Sequence, residues 1–338
     1  MKPRVLIIDD SATSRAALAS VLEQHGCEVI GRAMDGGHGL RAVMERSPDV
    51  ITLDLEMPRI DGFTFLRILA QQKPTAVIVL TSDARPESAL QALELGARDF
   101  VVKPKGGPHE LAHVGATMAA KIHALAGETH RVRSIPKPTE VVLPARCRLV
   151  VIGASTGGPR ALRDIVGALQ APSGLPVVIA QHMPPRFTAA FAERLARQTR
   201  IDVREALDGE LLGDGAVRVI PGGRHGSVVA QSGGRLALTL ALPSDEERNV
   251  PSVDRLFSSA AKELRDAVLG VVLTGMGRDG ALGAASLAQA QAQLWVESSS
   301  TAIVDGMPVA AARGHGAAIA LPIDELARHI ARVVSRES

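Results

Sequence analysis

Asp9, Asp10, Asp54, Thr81 and Lys103 each stand at the end of a short apolar run. Val5 to Ile8 leads into Asp9-Asp10, Val50 to Leu53 into Asp54, Ala76 to Leu80 into Thr81, and Phe100 to Val102 into Lys103. If those runs are parallel strands, the polar residues meet at one rim, where open α/β sheets bind ligands. Clustered carboxylates repel one another unless a cation neutralises them, and hard oxygen donors suit Mg²⁺. A carboxylate beside such an ion can accept a phosphoryl group, because the metal screens the incoming charge. Solvent-facing or helix-capping acids would account for any one of these residues taken singly, but poorly for the whole set with Thr81 and Lys103.

A second set lies further on. Leu149 to Ile152 runs into Gly153-Ala154-Ser155-Thr156-Gly157-Gly158-Pro159, which has the G-x-S-x-G lettering of an exposed nucleophile on a strand–helix turn. Amides at the following helix start can stabilise an oxyanion. A glycine-rich turn with a capping serine would carry the same letters. His182 follows Val177 to Gln181, and Asp279 follows Val268 to Thr274 in Gly275-Met276-Gly277-Arg278-Asp279-Gly280. Ser155, His182 and Asp279 can therefore serve as nucleophile, general base and orienting acid. Their chain order differs from that of α/β-hydrolases, where the acid precedes the histidine. A rival reading is that Gly275 to Gly280 is a G-x-G-x-x-G dinucleotide fingerprint, with Glu297 at the next strand end as the ribose-binding acid. Against it, the fingerprint normally opens its domain, and Ser155 and His182 are left without a role.

The elements that must position these residues follow from periodicity. Apolar runs at Val5–Ile8, Glu28–Arg32, Val50–Leu53, Ala76–Leu80 and Phe100–Val102 read as strands covered on both faces. Amphipathic stretches such as Ser14–Gln24 and Glu87–Leu95 lie between them, with Gly26 and Gly96 just past their ends. A second alternating series has strands at Leu149–Gly153, Val177–Gln181, Val217–Pro221, Val268–Thr274 and Leu294–Glu297. Its helices are Pro159–Leu169, Thr188–Arg197, Ser252–Arg265 and Gly280–Gln291, and Arg235–Leu242 reads as an antiparallel strand after the Ser232-Gly233-Gly234 turn. The fold class is α/β, with two doubly wound parallel-sheet domains. Residues 126–148, with Pro136, Pro138, Pro144 and a basic bias, read as the linker between residues 1–125 and 149–338.

Composition sets the outer bounds. The 338 residues suit two cores, 46% are hydrophobic, 22% are charged, and the formal net charge is +2. Such a balance announces neither a nucleic-acid nor a membrane-surface partner. No apolar run is long enough to cross a bilayer. The apolar run after Met1 stops at Asp9, too short for a signal-peptide core, so a cytoplasmic location is expected. Cys27 and Cys147 lie far apart and read as reduced thiols, Cys27 half-buried.

Asp9-Asp10-Ser11, Asp54-Leu55-Glu56-Met57-Pro58-Arg59-Ile60-Asp61-Gly62, Thr81 and Lys103-Pro104 resemble the response-regulator receiver domain, a flavodoxin-like fold, over about the first 120 residues. The resemblance implies that Asp54 is the phosphoacceptor. It also implies that Asp9, Asp10, Asp54 and the backbone carbonyl of Glu56 hold Mg²⁺, that Thr81 senses the phosphoryl group and Lys103 contacts it, and that Lys103–Pro104 is a candidate cis bond. From Leu149 onward, Gly153 to Pro159, Gln181-His182-Met183-Pro184, Pro221-Gly222-Gly223-Arg224-His225, Pro251-Ser252-Val253-Asp254, Leu273 to Gly280 and Val304-Asp305-Gly306-Met307-Pro308 resemble the Rossmann-like catalytic domain of the chemotaxis methylesterase (CheB) family.

By that resemblance Ser155 is the nucleophile, His182 the base and Asp279 its partner. Met276 supplies the oxyanion amide, Thr156 supports the site, and no metal is needed there. The implied reaction is hydrolysis of glutamate γ-methyl esters on methyl-accepting chemoreceptors, with deamidation of receptor glutamines as a second activity. A CheA-type histidine kinase is the implied phosphodonor, and a monomer is expected. The chain departs from the family at Glu297-Ser298-Ser299-Ser300, where a Gln-Asp-Glu stretch is usual, and at Gly226, where an apolar residue usually follows the histidine. Neither departure falls on the three catalytic positions. A receiver fused to a binding-only pseudo-enzyme is the alternative of a different class, and loss of hydrolysis in purified protein would favour it.

Overall fold

The first three strands of the first series are each followed by a polar side chain that caps the next helix. In the computed structural model, which describes residues 2–81, 86–104, 111–127, 141–169, 174–199, 201–245, 247 and 249–335, the chain divides into two units, over residues 1–131 and 132–338. The first unit runs β1 (Arg4–Ile8), α1 (Ala12–Gln24), β2 (Glu28–Ala33), α2 (Gly36–Arg46), β3 (Val50–Asp54), α3 (Gly62–Gln72), β4 (Ala76–Thr81), α4 (Pro86–Glu94), β5 (Asp99–Val102) and α5 (Leu111–Gly127). Ser11, Asp35 and Asp61 accept the free amides of Ser14, His38 and Thr64 and so start α1, α2 and α3. The five strands are parallel in the order β2-β1-β3-β4-β5. The order reverses between β1 and β3, which puts Asp9, Asp10 and Asp54 at the switch point.

The second unit runs β6 (Leu149–Ala154), α6 (Gly158–Ala168), β7 (Val177–Gln181), α7 (Phe187–Gln198), β8 (Val203–Glu205), β9 (Val217–Val219), β10 (His225–Ala230), β11 (Leu236–Ala241), α8 (Val253–Leu264), β12 (Val268–Val272), α9 (Ala281–Gln289), β13 (Gln293–Glu297), α10 (Gly306–His315), β14 (Ile319–Leu321) and α11 (Ile323–Ser335). Seven strands pair in parallel in the order β14-β13-β12-β6-β7-β9-β8, and β10 with β11 makes a separate antiparallel hairpin. Fully buried Val151, Val178, Leu256, Phe257 and Val272 seat α8 and the hairpin against one face. Each such side chain contributes about 1.5–3 kcal/mol by leaving water.

The expected linker lies largely at residues 128–140, outside the described residues. Both cysteines are free thiols, and Cys27 is buried rather than half-exposed, its pKa pushed up by burial. The cis peptide bond among the described residues is Val250–Pro251, which corrects the expectation for Lys103–Pro104; trans is the lower-energy isomer of such bonds. Among the described residues no helix is long and apolar enough to cross a membrane.

Candidate functional site

The acidic pocket of the first unit forms at the ends of β1 and β3. Asp9 and Asp54 are 1% and 6% exposed, Asp10 is exposed, and carboxylate oxygens of the three lie within 4.8 Å of one another. Lys103 Nζ donates to Asp54 Oδ2 at 2.5 Å and to Asp9 Oδ2 at 3.1 Å. Burial pushes the Asp54 carboxyl above its ordinary pKa, and the Lys103 charge only partly offsets this. Burial alone would lower Lys103, but the Asp54 and Asp9 carboxylates hold its ammonium above the usual value. Thr81 is buried at the end of β4, and its carbonyl accepts from Lys103 N–H at 2.7 Å. Glu56 N–H donates to Asp54 Oδ1 at 3.2 Å, placing that residue's backbone beside the pocket. A cluster of hard carboxylate oxygens with one cation already in place fits a small divalent ion.

A further contact lies at the end of β2. Arg59 Nε donates to Asp35 at 2.9 Å, and the His38 amide donates at 2.8 Å, tying the β3–α3 loop to the start of α2. The His38 amide bond and the Arg59 contact hold Asp35 well below the usual carboxylate range. Neither residue has a motif signal beyond Arg59's place in the stretch after Asp54.

In the second unit the three expected residues come from neighbouring strand ends. β12, β6 and β7 are adjacent, and the strand order reverses between β12 and β6. Ser155 follows β6 directly, and its N–H donates to Thr274 O at 3.0 Å. The chain turns at Gly157, whose φ of +80° is open to glycine, and α6 begins. Gln181 Nε2 donates to the carbonyls of Ser155 and His182 at 3.0 and 3.1 Å, binding the two strand ends together.

His182 Nε2 and Asp279 Oδ2 are 2.8 Å apart. Asp279 is buried, which alone would raise its carboxyl, but the bond and charge of His182 and the amides of Val253 and Asp254 bring it below its ordinary value. With Nε2 on Asp279, Nδ1 is the ring nitrogen left for a nucleophile. Among the described residues no hydrogen bond joins Ser155 Oγ to His182; such bonds often tighten only when substrate is bound.

The loop after β12 comes very close to Ser155. A Cβ at Gly275 would sit 2.8 Å from Ser155 Cβ, so glycine is required there. The Met276 N–H, next in the chain, meets no acceptor among the described residues. Thr274 Oγ1 donates to Thr156 O at 2.9 Å and accepts from Val304 N–H at 2.9 Å, which braces the Ser155 turn. The structure thus brings Ser155, Thr156, His182, Met276 and Asp279 into one region at the strand ends.

Glu297 does not serve as a ribose-binding acid. It is 2% exposed and accepts from Thr274 N–H at 2.9 Å, turned into the protein. This removes the acid that the dinucleotide reading requires. Burial raises the Glu297 carboxyl from 4.5 to about 7, against the Thr274 amide and Thr301, with Asp164 opposing ionisation and Arg160 favouring it. A folded pKa above the unfolded one means that folding binds a proton between about pH 4.5 and 7. Stability therefore falls as pH rises through that window and stays lower above it. Glu297→Gln keeps an acceptor for Thr274 and removes the penalty. Its gain in stability is expected to grow from small at pH 5 to roughly 3 kcal/mol at most at pH 8, at about 1.4 kcal/mol per pKa unit. Thermal melts at the two pH values check this; an equal offset at both would contradict it.

The family described as CheB methylesterase matches residues 150–330, and that described as response regulator receiver domain matches residues 5–114. A protein-glutamate methylesterase/protein-glutamine glutaminase of Myxococcus xanthus is 41% identical over 339 residues, covering 98% of this chain and 97% of its own length. A protein of the same description from Geobacter sulfurreducens is 42% identical, with 91% of each chain covered. The crystal structure of the Thermotoga maritima CheB methylesterase catalytic domain is similar with a TM-score of 0.53 and 34% identity, covering 56% of this chain and 99% of that one.

Proposed function

This chain belongs to the CheB methylesterase family and carries a response regulator receiver domain, and on that premise we propose that it is a phosphorylation-controlled protein-glutamate methylesterase acting on chemoreceptors. The observation that supports this most is the meeting of Ser155, the His182–Asp279 pair and the Met276 amide on adjacent strand ends. We assign residues 1–125 to the receiver, 126–148 to the linker and 149–338 to the esterase.

In this reading Ser155 Oγ attacks the γ-carbonyl of a methylated glutamate while His182 Nδ1 takes its proton. Asp279 holds the imidazole by Nε2 and balances the charge that forms. The Met276 N–H stabilises the oxyanion, a contribution that for one such donor is about 2.7–4 kcal/mol. Collapse of the tetrahedral adduct returns the proton to the leaving methoxide, so methanol departs and an acyl-Ser155 ester remains. Water then attacks with His182 again as base, freeing the glutamate and Ser155. A glutamine amide follows the same course, with ammonia leaving.

In the receiver, Mg²⁺ held by Asp9, Asp10, Asp54 and the Glu56 carbonyl would neutralise charge on an incoming phosphoryl group. Asp54 is the acceptor, Lys103 stands beside it, and Thr81 lies at the neighbouring strand end. The phosphodonor we assign is a CheA-type histidine kinase, and the cellular setting is the cytoplasm, as a monomer. Mass spectrometry of a chemoreceptor signalling fragment tests the activity. Methylated glutamates and target glutamines are both expected to become free glutamate in the presence of the whole chain. A fragment left unchanged by folded, phosphorylated protein would overturn the assignment.

A further inference from the structure

We infer that Asp254 is a positioning residue of the esterase site, holding Asp279 against His182 by a reciprocal exchange of helix caps. This rests on His182 and Asp279 acting as base and orienting acid. Pro251-Ser252-Val253-Asp254 has no part in the proton transfers above, yet it surrounds the acid. Asp279 Oδ2 accepts from His182 Nε2 and from Val253 N–H, both at 2.8 Å. Its Oδ1 accepts from Ser252 Oγ at 3.2 Å, Asp254 N–H at 2.9 Å and its neighbour Gly280 N–H at 3.1 Å. Asp279 thus caps the start of α8 from outside that helix.

The favour is returned. Gly280, just before α9, has no side chain to cap that helix, and Asp254 in the first turn of α8 supplies the acceptor. Asp254 Oδ1 takes Gly280 N–H at 2.9 Å and Gly283 N–H at 2.7 Å. Gly283 allows this approach, since a Cβ there would lie 2.5 Å from Phe257 Cβ and 3.1 Å from Asp254 Cα. The Gly280 amide is shared by both carboxylates. Removing Asp254 leaves that amide to Asp279 alone and frees the first turn of α9, so Asp279 loses the frame that fixes its angle to His182. His225 adds to the same frame, its Nδ1 accepting from Ser252 N–H at 3.0 Å. Burial pushes the Asp254 carboxyl up, the Gly283 amide draws it down, and the Asp279 charge pushes it up again, for a net rise. Asp279 moves the other way, so of the two carboxyls the one that faces His182 ionises more readily.

The test uses the full chain and methyl-labelled receptor, with Asp254→Ala, Asp254→Asn and Asp279→Asn. Asp254→Ala is expected to lower kcat about 10²-fold with KM little changed, the cost of a small misplacement of a catalytic group. It should also weaken or shift the downfield proton resonance of the His182–Asp279 bond. Asp254→Asn keeps an oxygen for Gly280 and Gly283 and is expected to recover kcat to within about fivefold of wild type, with the resonance in place. Should Asp254→Ala fail to fold, Asp254→Ser, with a shorter acceptor, carries the test with a loss of about tenfold. Folded Ala or Ser variants with wild-type kcat and resonance would overturn the inference, as would an Asn variant no better than Ala. Asp279→Asn separates the two layers: full activity there would sink the catalytic assignment itself, whereas a large loss there with none at position 254 would sink only the role of Asp254.

Discussion

Ser155→Ala is expected to leave a folded protein whose ester hydrolysis is slower by at least about 10⁴-fold. The size follows from what the hydroxyl alone provides. Without Oγ there is no acyl-enzyme, and His182 has no serine proton to take. What remains is substrate binding and the Met276 amide, which can polarise a carbonyl but cannot attack it. The fold should survive because Ser155 is held through its backbone: its N–H bonds Thr274 O and its carbonyl accepts from Gly158 and Gln181. Circular dichroism and phosphorylation of the receiver check that the variant is intact. Near-normal turnover by such a protein would remove Ser155 as nucleophile.

Asp54→Ala is expected to abolish formation of acyl phosphate on treatment with a small phosphodonor and Mg²⁺, and to abolish any stimulation of the esterase by that donor. Asp54 is the one of the three clustered acids that shares Lys103 while also accepting the Glu56 amide. Its replacement leaves Asp9 with the Lys103 contact and the pocket otherwise intact. Trapped acyl phosphate is read by mass spectrometry, and full modification of Asp54→Ala would move the acceptor elsewhere. The stimulation requires phosphorylation to bias the receiver toward a state that restrains the esterase less, at about 1.4 kcal/mol for each tenfold shift. New charge at Asp54, in reach of Lys103, is a source of that bias. Deleting residues 1–125 should accordingly raise basal activity and remove the response.

The proposed catalytic residues are legible in the sequence because each follows an apolar run that ends in a motif. Ser155 sits in Gly153–Gly157, His182 after Gln181, and Asp279 in Gly275–Gly280. That β12 and β7 flank β6 is not legible, because strand order is a matter of long-range pairing. Nor does sequence reveal which imidazole nitrogen meets Asp279, nor that Asp279 caps α8 from 25 residues away. Short edge strands such as β8 and β14 have three residues each and leave too little pattern to read. Arg235–Leu242 is legible as a strand, but its partner β10 starts with His225-Gly226-Ser227, which has no apolar alternation. Arg218 is hidden for a different reason. A charge inside an apolar run argues for exposure, yet it is buried, with Glu210 at 2.6 Å and Asp202 at 2.5 Å as partners from separate loops.

The departures from the family also look different in three dimensions. Glu297, and His225 just before Gly226, make no hydrogen bond to Ser155, His182 or Asp279 among the described residues. Each nevertheless stands one residue behind them, Glu297 through Thr274 and His225 through Ser252.

The measurement that bears most directly on the account is release of methanol from chemoreceptor fragments carrying labelled glutamate methyl esters, followed with the whole chain, with and without phosphodonor. Volatile label is expected to appear, to appear faster once Asp54 is phosphorylated, and to be absent with Ser155→Ala. No release by folded, phosphorylated wild-type protein, or equal release by Ser155→Ala, would contradict it.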